Sequence, residues 1–301
     1  MKSVISSILA PTDLSESSIP ALRYARLFAD RFWAKLTVMY TDPIVYAGGF
    51  VGPAEGLYVT GTPEQEARLR IAVEEQAGPI MAGRPFDMHI ATGQPGPAIL
   101  SAAEKRKADL IVVGTHLRHG WRRAILGSVS EDVLHGSRCP VLTVASHDRF
   151  IAAPEITNVI CPVNFTDVAR ESLRIAARIA GTFGAYLTVV HVLESDEPMN
   201  AAADEQRVRR WMIPELQGIC SYRELVVRGG PAERVLDCAD DLGADFLVIG
   251  AQHKLFRDAT VIGTTTERLI RFASCPVLVV PREAVRRGAK EEEAELVAAG
   301  W

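Results

Sequence analysis

The chain of 301 residues lacks most of the signatures that would assign a chemistry at sight. It has no run of about 18 apolar residues, so no segment reads as a membrane-spanning helix. The start MKSVISSILAPTD carries one lysine and an apolar stretch broken by serines, too short for a secretory core, and the expectation is a cytoplasmic protein. Cysteine is scarce: Cys139, Cys161, Cys220, Cys238 and Cys275 are odd in number, scattered and without CxxC spacing. That pattern argues against a disulfide framework or a zinc site and leaves buried thiols. There is no GxxxxGK stretch, no GxGxxG after a first strand and no GxSxG elbow, so a P-loop, a dinucleotide fingerprint and a hydrolase triad are all unsupported. His116, His119 and His135 give no metal set, and His191, inside an apolar strand, reads as a satisfied core histidine. Net charge is low as well, at -4 with pI near 6.0, which gives no general attraction to nucleic acid or to an acidic membrane.

What the chain does have is a copy of itself. ILAPTDLS (Ile8 to Ser15) lies over VICPVNFT (Val159 to Thr166), and LTVMYT (Leu36 to Thr41) over LTVVHV (Leu187 to Val192), both at an offset of 151. DLIVVG (Asp109 to Gly114) over DFLVIG (Asp245 to Gly250), GS at Gly127 over GT at Gly263, and CPVLTV from Cys139 over CPVLVV from Cys275 follow at an offset of 136. The second copy is therefore 15 residues shorter in its middle. The surplus falls in DPIVYAGGFVGPAEGLYVTG, Asp42 to Gly61, a glycine-rich loop after the second strand. Length of that kind marks either a functional loop or a bland surface insertion, and the residues leave both open. Two domains follow, residues 1–146 and 156–282, joined near SHDRFIAAPE and trailed by a charged tail, 283–301.

Within the first copy, short β-branched runs near Val4 to Ala10, Ala34 to Tyr40, Phe86 to Ala91, Asp109 to Gly114 and Pro140 to Ala145 read as strands. Helices are expected between them, near Ser17 to Phe32, Pro63 to Gly83, Pro95 to Lys107 and Val129 to His135. TPEQ at Thr62 has the make-up of a helix start, with a cap, a proline in first position and a glutamine three residues on. Alternating strand and helix predicts an α/β fold with a parallel sheet covered on both faces.

In such sheets ligands bind beyond the carboxyl ends of strands, where strand order switches. The fourth strand ends at Gly114, and GTHLRHGWRRAILGS leads from it to a helix beginning at Ser128. The free amides of a helix start suit a phosphate. They also suit a capping box, for which Ser128 with Glu131 and Thr264 with Glu267 have the spacing. Three arginines, Arg118, Arg122 and Arg123, with no acid among them, favour the phosphate in the first loop; the second has Lys254, Arg257 and Asp258.

These motifs are similar to those of the universal stress protein family, and the whole chain resembles a tandem member, over roughly Val4 to Val144 and Thr157 to Pro281. The family's ATP-binding branch has a glycine, two residues, a glycine, nine residues, then glycine with serine or threonine. Here Gly114, Gly127 and Ser128 match in the first copy and Gly250, Gly263 and Thr264 in the second, while Leu117 and His253 stand where the middle glycine belongs. The resemblance implies two Rossmann-like domains of the adenine nucleotide alpha hydrolase-like kind, each a five-stranded parallel sheet with helices on both faces.

It also implies a first nucleotide site from Pro11, Thr12 and Asp13, from Thr41 near the adenine, from Val113, Gly114, Thr115, His116, Leu117 and Arg118, and from Gly127, Ser128, Val129 and Ser130 around the phosphates. A weaker second site is implied at Pro162, Asn164, Val192, Gly250, Gly263, Thr264, Thr265 and Thr266, with Asn164 in the place of Asp13. Asp13 equally suits a turn. The implied cofactor is ATP with magnesium on its phosphates and no protein metal ligand. The implied partner is the chain's own second half, through the last strands, with association of two chains left open and no nucleic acid or membrane expected. Three functions stand at this point: a non-catalytic nucleotide-binding stress regulator, a slow ATPase on the same cradle, and a nucleotide-free scaffold for a protein or apolar ligand.

Overall fold

The computed structural model describes residues 5–43, 62–117, 124–145, 154–194, 201–251 and 263–284. Outside them lie the glycine-rich segment from 44 to 61, the loop 118–123 with Arg118, His119, Arg122 and Arg123, and its counterpart 252–262 with His253, Lys254, Arg257 and Asp258. The linker from 146 to 153 and the tail from 285 lie outside them too.

The first half runs β1 (Ser7–Thr12), α1 (Ile19–Phe32), β2 (Lys35–Asp42), α2 (Pro63–Met81), β3 (Asp87–Thr92), α3 (Pro95–Lys105), β4 (Leu110–Leu117), β5 (Ala124–Ile125), α4 (Ser128–Gly136) and β6 (Val141–Ala145). The second runs β7 (Asn158–Val163), α5 (Asp167–Phe183), β8 (Tyr186–Leu193), α6 (Ala201–Leu216), β9 (Ser221–Arg228), α7 (Pro231–Asp241), β10 (Phe246–Gly250), α8 (Thr264–Phe272) and β11 (Val277–Val280). Each half orders five parallel strands alike, β3-β2-β1-β4-β6 and β9-β8-β7-β10-β11. The fold class expected from alternation and resemblance is the one observed.

Local chemistry accounts for the elements. Leu110 to Val113 of β4 and Phe246 to Ile249 of β10 are buried throughout, which is why these runs show no period of two. On α1 the buried Leu22, Ala25, Phe28, Ala29 and Phe32 recur at three- and four-residue spacing and lay one stripe on the sheet. Burial of a side chain such as Phe28 or Leu110 contributes roughly 1.5–3 kcal/mol each. The hydroxyl of Thr62 accepts from the Gln65 amide at 3.2 Å and Pro63 opens α2, as TPEQ predicts. The repeated aspartate that starts the fourth strand is a clamp: one oxygen of Asp109 accepts from the Ser6 amide, the Ser6 hydroxyl and the Ser7 amide. Asp245 does the same for Thr157 and Asn158.

Two boundaries differ from expectation. β1 begins at Ser7 rather than Val4 and runs on to Thr12, through Pro11, because β4 pairs with it only at Ile8 and Leu9 and demands no amide from the proline. β4 passes Gly114 to Leu117 because β5 pairs antiparallel with it, His116 against Ile125 and Leu117 against Ala124. Four cysteines are buried and Cys220 is half-buried; burial pushes the Cys220 thiol up to about 11. Among the described residues, no helix is long and apolar enough to cross a membrane, and no group of histidine, cysteine, aspartate and glutamate could hold a metal.

The halves join through their last strands. β6 and β11 pair antiparallel, Leu142 against Leu278, and the Thr143 hydroxyl donates to the Val277 carbonyl at 3.0 Å. Over this seam Phe28 packs against Phe183 and Phe246, with ring centroids 5.4 and 5.5 Å apart. Because the seam is antiparallel while each half is parallel, the carboxyl ends of the two strand sets face opposite edges of one continuous sheet.

Candidate functional site

In the first half, β1 has β2 on one side and β4 on the other, so strand order reverses there and a crevice opens beyond their carboxyl ends. The chain leaves β1 in a tight turn with Leu14 at φ 63, in the left-handed region. Asp13 is exposed at that turn, and its Oδ1 accepts from the Ser15 amide at 3.0 Å and the Ser15 hydroxyl at 2.6 Å. The Thr12 hydroxyl accepts from the Leu14 amide at 3.0 Å and donates to Gln76 Oε1 at 2.5 Å, while Gln76 Nε2 donates to the Ser15 carbonyl at 2.9 Å. Helix α2 thus pins both ends of the turn. Sequence reading missed Gln76, since nothing in a local pattern ties a helix residue to a turn 61 positions away. It missed Tyr40 too, whose phenol stays protonated to higher pH through burial, then through the nearby Asp42 and Asp13.

Beside this turn, Thr41 at the end of β2 is buried, as are Val113 and Thr115 of β4, and the Thr115 hydroxyl donates to the Val144 carbonyl. These three belong to the sheet interior. Gly114 between the latter two faces α1: a Cβ there would meet the Ser17 carbonyl oxygen at 3.0 Å. At Gly250 it would meet Val168 Cγ1 at 2.7 Å. The repeated glycine therefore lets a helix approach the strand end, a packing role beside any role toward a ligand. The direction of the Leu117 side chain lies outside the described residues, as does that of His116 and all of Arg118.

The capping-box expectation is overturned in both halves. The caps are Gly127 and Gly263, each extended, with ψ of 153° and 148°, and Ser128 and Thr264 are the first helical residues. The Glu131 amide bonds to the Gly127 carbonyl at 2.9 Å and the Glu267 amide to Gly263 at 3.0 Å, the first backbone bonds of each helix. A glycine has no side chain to answer the amides that precede them, so no side-chain bond caps either start. Ser128 and Thr264 are exposed there, and Val129 and Thr265 half-buried. Ser130 and Thr266 turn inward: the Ser130 hydroxyl donates to the Gly114 carbonyl at 2.9 Å and that of Thr266 to Gly250 at 3.4 Å. Their hydroxyls seat the helix on the strand.

The second half repeats this with different side chains. Phe165 takes the left-handed place of Leu14, at φ 59. Asn164 Oδ1 accepts from the Thr166 hydroxyl at 2.7 Å. Aligned on their buried Val73, Ala77, Met81 and Val208, Met212, Leu216, helices α2 and α6 place Trp211 where Gln76 stands. Trp211 meets Phe165 edge-on at 5.6 Å, and the guanidinium of Arg207 lies 4.4 Å from the Phe165 ring. His191 is a satisfied core histidine, as expected, its Nδ1 2.9 Å from the Val163 carbonyl. Beyond these strands lies a cavity of about 480 Å³. Pro162, Asn164, Val192, Gly250, Gly263 and Thr264 to Thr266 all line it, so every residue expected at the second site meets in one place.

The profile of the family described as "Universal stress protein family" matches twice, over residues 5–145 and 155–281. A universal stress protein of Methanocaldococcus jannaschii is 36% identical over 143 residues, 46% of this chain and 80% of its own length. One from Mycolicibacterium smegmatis is 26% identical over 294 residues, 91% of this chain and 96% of its own. The crystal structure of a universal stress protein from Archaeoglobus fulgidus shares the fold with a TM-score of 0.72, at 22% identity over 94% of this chain and 100% of that one. Matched in both halves and along nearly its whole length, the chain belongs to the universal stress protein family.

Proposed function

We propose that the chain binds ATP, with magnesium on the phosphates, in the cleft of its first half, and that it acts by binding rather than by turnover. The observation that carries this reading is the start of α4: a glycine cap leaves its first amides without a side-chain acceptor, at the switch point and across from Asp13. Uncapped amides and the helix dipole attract an anion, and the exposed Ser128 hydroxyl adds a donor. Asp13 offers acceptor oxygen for a ribose hydroxyl at the other end. The second cleft has the same uncapped start and a cavity within the range of small-molecule sites, roughly 300–1,000 Å³. It lacks the carboxylate of Asp13 and for ATP is the weaker site.

Bound nucleotide would act by favouring one of two states of the chain or of its association with a partner. The β6–β11 seam supports reading residues 1–146 and 156–282 as an internal pair of domains, in a cytoplasmic protein. The test is calorimetric titration of the dialysed chain with ATP and magnesium, followed by a phosphate-release assay. Binding without release is expected. Release lost in Ser128→Ala would make the protein an ATPase, and no heat would leave the scaffold reading. Since Ser128 is the first helical residue and not the cap, its alanine variant tests the ligand contact without removing a cap.

A further inference from the structure

The sheet is open, and its two edges are guarded differently. β3 closes one edge and β9 the other, and among the described residues no strand pairs with the outer side of either. An open strand edge invites pairing with another chain, and proteins blunt it with short strands and charge. β3 does both: it has six residues, Asp87 opens it, and Arg106, Lys105 and Arg70 stand close enough to act on the ring of His89 at its middle. β9 has eight residues, and at its middle are Leu225, Val226 and Val227, all half-buried.

Alternation along β9 settles what this edge presents. The Gly229 amide donates to the Leu193 carbonyl of β8, so the backbone groups of Leu225 and Val227 turn to β8 and those of Glu224 and Val226 turn outward. Glu224 is held by Arg209 of α6, which puts the side chains of Glu224 and Val226 on the face that α6 covers. Leu225 and Val227 lie on the other face, in register with Val190 and Val192. One turn along α6 from Arg209, on the same side, Ile213 is exposed, so apolar surface reaches over the rim of the sheet.

The strand is also complementary to itself. Laid antiparallel across a twofold axis at Val226, its outward groups meet, and Val226 exchanges two hydrogen bonds with the partner's Val226. Leu225 then stands opposite the partner's Val227, and Glu224, kept by Arg209, comes opposite the partner's Arg228, a charge of the other sign. Moving the axis to Leu225 would instead set Glu224 against the partner's Val226 and Arg223 against the partner's Val227, each a charge against a valine. The chain already uses this device within itself, since β6 and β11 join the halves as an antiparallel pair.

We propose that β9 is the contact between two copies of the chain, paired antiparallel about Val226 so that two sheets become one. The test is sedimentation velocity of the full chain over a range of concentrations, with amide hydrogen exchange at the dilute and concentrated ends. The expected result is a dimer whose share rises with concentration, and exchange at the Glu224 and Val226 amides that slows by roughly tenfold or more as it forms. The Leu225 and Val227 amides, already bonded to β8, should change far less. Val226→Pro removes only an outward donor, which an edge strand tolerates, and should leave a folded monomer. Leu225→Lys sets a charge against the partner's Val227 and should do the same. If the proline variant does not fold, the lysine variant and exchange in the unaltered chain decide. A monomer at every concentration overturns the proposal, as does a dimer in which those two outward amides exchange at the dilute rate. A dimer that survives both variants overturns it too.

Discussion

The two halves share strand order, the glycine cap of the last helix and even the hydroxyl that seats that helix, yet they hold the ligand-facing turn by different physics. In the first half, a glutamine from α2 hydrogen-bonds Thr12 and the Ser15 carbonyl. In the second, a tryptophan from α6 packs on Phe165 under the guanidinium of Arg207. A bond network between polar groups fixes direction, whereas ring packing fixes volume and tolerates small rotations. The difference teaches that duplication preserved what positions the cleft, while the side chains that dress it diverged.

The largest effect should come from the glycine where strand meets helix. Gly250→Ala sets a methyl 2.7 Å from the buried Val168 and should destabilise by about 1–3 kcal/mol, as overpacking does. Gly114→Ala, with its nearest atom at 3.0 Å, should cost less. Urea unfolding of both variants orders them, and a larger loss at Gly114 would break the comparison. Next, Gln76→Ala removes two hydrogen bonds from the turn that carries Asp13 and should weaken ATP in the first cleft by about tenfold, a loss near 1 kcal/mol per bond being typical. Trp211→Leu should leave ATP there unchanged, and calorimetry on the two variants separates a clamp from general loosening.

A smaller effect concerns the ends of α1 and α5. Trp33 closes α1 at φ 55 with 90% of its surface exposed, where Gly184 closes α5 at φ 70. Trp33→Gly relieves a strain of about 1–2 kcal/mol, offset by roughly 0.5–1 of chain entropy, so a net gain of about 0.5–1 kcal/mol should appear in denaturant unfolding. Smallest is a pH effect. By strand register, His89 in β3 stands where Leu225 stands in β9. Burial, then Arg106 and Lys105, hold the His89 imidazole below its ordinary 6.5. The unfolded chain therefore binds the proton more readily, and stability is lost as pH falls through 6.5 toward the lower folded value. His89→Leu should flatten that part of the melting profile, and an unchanged slope would rule the histidine out.

The fold was legible because parallel strands buried on both faces must be apolar runs, and LIVV and FLVI recur with their flanking glycines intact. The start of α2 was legible because a threonine cap and a proline act within four residues. At α4 the same local logic failed: Ser128 and Glu131 have capping-box spacing, but Gly127 adopts the extended cap conformation one residue earlier. Spacing alone does not say which of two adjacent small residues leaves the helix. Gln76, Trp211 and Arg207 were illegible for a different reason, since their partners are brought near only when α2 packs on α1, β2 and β3 and α6 packs on α5 and β9. Of the expected contacts, Ser130 and Thr266 have their hydroxyls turned to strand carbonyls, which helical position settles and residue type does not.

The central claim is that uncapped amides at the start of α4 receive a phosphate. Amide NMR on the full chain, titrated with ATP and magnesium, reads this directly at Ser128, Val129 and Ser130. The account predicts saturable shifts of these three amides together with those of the Asp13 turn. Unmoved amides at saturating nucleotide, with no heat of binding, would contradict it.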